Sequence, residues 1–151
     1  MKINITINGQ ARSLEIEPGA MLVDVLRSAG HTEVKKGCDT GSCGACSVLL
    51  DGEPILSCSF FAAKAEGAEI TTVAGIREEA EKFAEHLTAE GADQCGFCAP
   101  GFTVAIYAMM KELDNPSEEE IRHYLSGNLC RCSGYEGQMR AIRNYVEARN
   151  G

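Results

Sequence analysis

The chain has 151 residues, 44% of them hydrophobic, which is enough for one ordinary domain or two small ones with modest cores. Its formal charge of −8 argues against nucleic-acid binding, because neutralising phosphates takes a surface of lysine and arginine. The longest apolar stretch, around Phe102 to Met110, is far short of a bilayer span and argues against insertion in a membrane.

At the start, Ile3, Ile5 and Ile7 alternate with polar residues, Asn8-Gly9 is a strong two-residue turn, and Ser13 to Ile16 alternates again. This predicts a β-hairpin. The same residues lack the apolar core and cleavage site of a secretory leader, so a reducing compartment, the cytoplasm, is expected. Pro18-Gly19 breaks the pattern, and Leu22, Val25, Leu26 and Ala29 recur at helical spacing up to Gly30. A second hairpin is predicted from Ser47 to Ser57 around Asp51-Gly52, followed by one more strand from Glu69 to Val73. From Gly75 onward no strand pattern returns. Four amphipathic segments follow: Ile76 to Leu87, Phe102 to Leu113 with Pro100 near its first turn, a segment opened by Ser117 and Glu120 as a capping box and stopped at Gly127, and Met139 to Arg149. Short links between them suggest a small bundle.

Eight cysteines fall on this frame in two groups. Cys38, Cys43, Cys46 and Cys58 have the C-x4-C-x2-C spacing, with a distant fourth member, that holds a plant-type cluster of two irons and two sulfides. The residues between them, Asp39 to Ser42 and Gly44-Ala45, are small or turn-forming, so the backbone can wrap closely and aim N–H groups at sulfur. Cys95 and Cys98 stand immediately before the second predicted helix, and Cys130 and Cys132 in the turn between the third and fourth. All four can therefore meet at one end of the bundle, where a helix N-terminus favours an anionic ligand set. In a reducing compartment such cysteines signal metal or redox chemistry rather than disulfides. Spacing alone leaves zinc open for the second group. Met109 and Met110 are expected as core filler, and His31, His86 and His123 as surface or capping groups.

Two stretches carry a resemblance. Gln94-Cys95-Gly96-Phe97-Cys98-Ala99-Pro100-Gly101 and Gly127-Asn128-Leu129-Cys130-Arg131-Cys132-Ser133-Gly134-Tyr135 resemble the signatures of the iron–sulfur subunit of molybdenum hydroxylases, the family of xanthine dehydrogenases and aldehyde oxidoreductases. Lys36 to Cys46 matches the ferredoxin-like half of the same family. The resemblance implies an α+β chain: a β-grasp, plant-type ferredoxin-like domain over residues 1–74, then a four-helix bundle-like domain over residues 75–151. It implies a second 2Fe-2S cluster at Cys95, Cys98, Cys130 and Cys132, and an electron-transfer subunit with no substrate chemistry of its own. A large subunit would hold a molybdopterin-type cofactor, and a medium subunit FAD. By the same resemblance Gln94 reaches the pterin and Cys132 lies near its amino group. Arg131 is left without a role. Ser133 and Ala99 stand where the family commonly has threonine, and Ser42 and Ser47 also replace commoner residues. The alternative is an independent two-cluster ferredoxin that carries electrons between transient partners.

Overall fold

A computed structural model describes residues 1–151. Strands β1 (Lys2–Ile7) and β2 (Gln10–Glu15) form an antiparallel hairpin. Asn8 and Gly9 both take positive φ, 50° and 76°, the two-residue turn whose twist suits a hairpin. Helix α1 (Leu22–Ser28) follows, then a long loop, and then β3 (Ser47–Leu50) and β4 (Glu53–Leu56) around Asp51 and Gly52, again at positive φ. β5 (Glu69–Thr71) inserts between the hairpins, parallel to β1 and antiparallel to β3, giving the order β2-β1-β5-β3-β4. Period-two alternation puts Ile3, Ile5 and Ile7 on one face, where they bury with Val48 and Ile70 against Leu22, Val23 and Leu26 of α1. The sheet thus grasps one helix.

β5 stops two residues before the expected Val73. The N–H of Thr72 is taken by the Asn8 side chain at 2.9 Å, and its hydroxyl accepts from Ala74 N at 3.3 Å to open a 3-10 turn over Val73–Ile76. The ladder loses its next donor to that cap.

Helices α2 (Arg77–Ala89), α3 (Ala99–Glu112), α4 (Glu118–Tyr124) and α5 (Glu136–Asn150) complete the chain. α2 packs on α5 through Phe83 and Leu87 against Ile142, Tyr145 and Val146, with the Phe83 and Tyr145 rings 5.5 Å apart, edge to face. Met109 is fully buried in this core and Met110 packs against it, as expected of filler. The Ser117–Glu120 capping box is present in both directions. Gly127, however, does not stop α4. The helix ends at Tyr124, and Gly127 has no left-handed φ; its carbonyl instead lies where a Cβ on Gly44 would sit.

α3 is apolar almost all round, and nearly every residue from Gly101 to Met109 is buried. A helix without a polar face must be covered on both sides. One side, Phe102, Ala105, Ile106 and Met109, enters the helical core. The other, Val104 and Ala108, meets Leu49 of β3 and Ile76 in a separate small core. The expected bundle is therefore joined to the sheet along α3. No helix is long and apolar enough to cross a membrane.

Candidate metal centres

The first group sits on the loop between α1 and β3, with Cys58 supplied by a 3-10 turn directly after β4. Glycines let this loop close tightly. Gly41 and Gly44 take φ of 68° and 73°, and a Cβ on Gly44 would collide with the Gly127 carbonyl and the Asn128 amide. Backbone N–H groups point inward at sulfur. Those of Cys43, Thr40 and Ser42 bring the Cys38 thiol down to about 6. Burial pushes Cys46 the other way, to about 11, against the Cys58 N–H, and the neighbouring Cys58 thiol adds to the rise. Burial likewise raises Cys43. The fully buried Ser57 donates to the Cys46 carbonyl at 2.6 Å and so ties the two ends of the ligand loop together.

The second group lies where α3 begins and the α4–α5 connection passes. Cys98 is the N-cap residue of α3, with Pro100 in its first turn. Its thiol is pushed up to about 12 by burial and by the neighbouring Cys130. Cys130 is also partly buried, but hydrogen bonds from the Ser133 side chain and from the N–H groups of Ser133 and Cys132 outweigh that and bring it down to about 7. The Ser133 hydroxyl donates to the Cys130 sulfur at 3.3 Å, and Cys132 N at 3.4 Å. Tyr135, at a φ of 71° that a bulky residue seldom adopts, turns its hydroxyl back to accept from Cys130 N at 3.1 Å. Gln94, Cys95, Cys98, Cys130, Cys132 and Gln138 line one small cavity.

Within each group the thiols meet in twos. Cys38 neighbours Cys43 and Cys46 neighbours Cys58; Cys98 neighbours Cys130 and Cys132 neighbours Cys95, each thiol shifting its neighbour's titration. No three His, Cys, Asp or Glu side chains converge tightly enough for a single ion. Two thiolates to each of two irons is what a binuclear cluster takes, whereas a mononuclear zinc needs all four sulfurs about one point. The donor set fits the cluster better.

Each candidate residue can now be placed. The eight cysteines assemble as two sites; Gln94 is exposed beside the second, as is Cys132, and Arg131 points outward. His31 lies 3.1 Å from Glu33, and His86 meets the Tyr145 ring edge to face, both away from the thiols. Three features were not anticipated from the sequence: Ser57, Gln138, and a bond from Leu129 N to the Cys43 carbonyl at 2.8 Å that bridges the sites. Gln138 did carry a signal, since it is a polar residue four positions before Ile142 on the apolar stripe of α5.

Comparison with known proteins agrees with this geometry. Residues 5–74 match the 2Fe-2S iron-sulfur cluster binding domain family, and residues 72–143 the 2Fe-2S binding domain family. The chain is 40% identical over 148 residues to the nicotinate dehydrogenase small FeS subunit of Eubacterium barkeri, covering 96% of this chain and 94% of that one. It is 46% identical over 138 residues to the xanthine dehydrogenase iron-sulfur-binding subunit of Escherichia coli O157:H7, covering 89% and 87%. The structure of quinoline 2-oxidoreductase from Pseudomonas putida 86 contains a chain that superposes with a TM-score of 0.90 at 41% identity, over 100% of this chain and 97% of that one. The aldehyde oxidoreductase of Desulfovibrio gigas gives 0.88 at 38% identity, with 100% of this chain matching 17% of a longer one. Two matched cluster-binding domains, with relatives 40% and 46% identical that cover 96% and 89% of the chain, establish that the chain belongs to the small iron–sulfur subunits of the molybdenum hydroxylases.

Proposed function

We propose that this subunit conducts electrons between two 2Fe-2S clusters, from the molybdenum–pterin centre of a large subunit toward a flavin subunit or another acceptor. Residues 1–74 form the unit that holds the first cluster through Cys38, Cys43, Cys46 and Cys58. Residues 75–151 form the unit that holds the second through Cys95, Cys98, Cys130 and Cys132. When bound, each cluster supplies a one-electron redox centre whose potential follows its hydrogen bonds and exposure.

The observation that carries this reading is the 2.8 Å bond from Leu129 N to the Cys43 carbonyl. Cys43 belongs to the first site and Leu129 directly precedes Cys130 of the second, so one hydrogen bond closes an otherwise covalent route from thiol to thiol. Asn128 strengthens the joint by donating to the Gly44 carbonyl at 3.4 Å. Exposure supports this direction. Gln94 and Cys132 lie open at the surface, where Gln94 can reach a pterin held by the large subunit. Phe97, Leu129 and Tyr135, 46%, 48% and 41% exposed, surround the second site. So much exposed apolar surface about one redox site suits a fixed partner better than the transient encounters of a mobile carrier.

Metal analysis of the complex purified with its partner subunits tests the reading. About four irons per copy of this chain are expected, together with molybdenum in the complex. Two irons with one zinc would sink the two-cluster assignment, and a chain that purifies alone as a stable two-cluster monomer would favour the mobile carrier.

A further inference from the structure

Helix α5 buries one stripe, and Gln138 lies on it with Met139, Ile142, Tyr145 and Val146. Gln138 is 3% exposed, and its Oε1 has no hydrogen-bond partner. Burying a carboxamide with one end unpaired is destabilising, a cost that a leucine or isoleucine at this position would avoid. Its Nε2 lies 3.8 Å from the Cys98 sulfur. The reverse orientation would turn the amide oxygen toward a sulfur that is anionic whenever metal is bound.

The helix holds this side chain in place. Gly137 packs so closely that a Cβ there would lie 3.2 Å from Ala92 Cβ and 3.4 Å from the Glu90 carbonyl. Arg140 and Asn144 clamp the Glu90 carboxylate at 2.7 and 3.0 Å. The first turns of α5 are thereby pinned to the bend that leads into Cys95, and Gln138 is directed into the cavity of the second site.

We propose that Gln138 is a positioning residue for the second cluster: its amide N–H donates to the Cys98 sulfur and raises the potential at which that cluster accepts an electron. The inference rests on the two-cluster reading above. A bond to a neutral thiol is weak, but one to a thiolate is charge-assisted. An added electron increases negative charge on the sulfurs, so the bond is stronger in the reduced state. That difference favours reduction.

The test is an EPR-monitored redox titration of the assembled enzyme. Gln138→Leu should lower the reduction constant of the second cluster about tenfold, about 59 mV for one electron, while the first cluster stays in place as an internal reference. Gln138→Met, unbranched and of similar volume, makes the same test if the leucine variant loses iron. In the unsubstituted enzyme, a nitrogen isotope label in glutamine side chains should give a hyperfine coupling to the reduced second cluster that survives Gln94→Leu. A second-cluster potential that does not move in a variant retaining both clusters overturns the proposal. So does an equal shift of both clusters, or no such coupling. If the unsubstituted enzyme lacks two distinct 2Fe-2S signals, the two-cluster reading itself fails.

Discussion

Gly101 shows how one residue can reverse an ordinary rule. Glycine to alanine inside a helix normally stabilises by about 1 kcal/mol. Here a Cβ would run into the Gly44 carbonyl and approach Ala45 backbone at 2.9 Å, and backbone cannot swing aside. Overpacking of this kind costs about 1–3 kcal/mol, so Gly101→Ala should lower the melting temperature of the iron-loaded protein. A higher melting temperature would show that the contact yields. At this scale the cysteines were readable from sequence because spacing along the chain limits which sulfurs can share a site. Ser57 and Leu129 were not, because each acts on a residue brought near only by folding: Ser57 on the Cys46 carbonyl, Leu129 on the Cys43 carbonyl.

Among the elements, those with local causes were legible. Asn8-Gly9 and Asp51-Gly52 dictate hairpins by their own conformational preferences, and Ser117 with Glu120 caps α4 within a single turn. Errors arose where a distant residue intervened, as Asn8 does in ending β5 at Thr71 and as Gly44 does in setting the place of Gly127. The pairing of α2 with α5 is likewise long-range. Besides ring packing, the Tyr145 hydroxyl donates to Glu79 at 2.9 Å and holds that carboxyl below its usual 4.5. With the folded value depressed, the bond stabilises fully above the unfolded value and is lost as pH falls through the folded one. Tyr145→Phe keeps the ring and removes the donor. Denaturant titrations should show it about 1 kcal/mol less stable near neutrality, with the gap closing below pH 4.5. A gap that is constant with pH would mean the ionised Glu79 contributes nothing.

Over the whole molecule, the sequence pattern suggested two halves, and the sheet and the helices do have separate cores. What the pattern could not show is the third core of Leu49, Ile76, Val104 and Ala108 that joins them. An apolar residue facing another domain reads the same as one facing its own. Leu49→Ala, at a site 4% exposed, should cost about 2–5 kcal/mol. Because that residue belongs to the seam, the visible absorption of both iron sites should bleach together at lower denaturant. Bleaching of the first site alone would mean that the halves unfold independently. The close approach of Gly101 to Gly44 also bears on the proposed electron transfer. Main chain meets main chain at this seam, beside the Leu129–Cys43 hydrogen bond, so backbone contact rather than a flexible surface loop holds the two sites at their spacing. Under the proposed function, surface substitutions would retune the potential at either end and leave this backbone-set spacing in place.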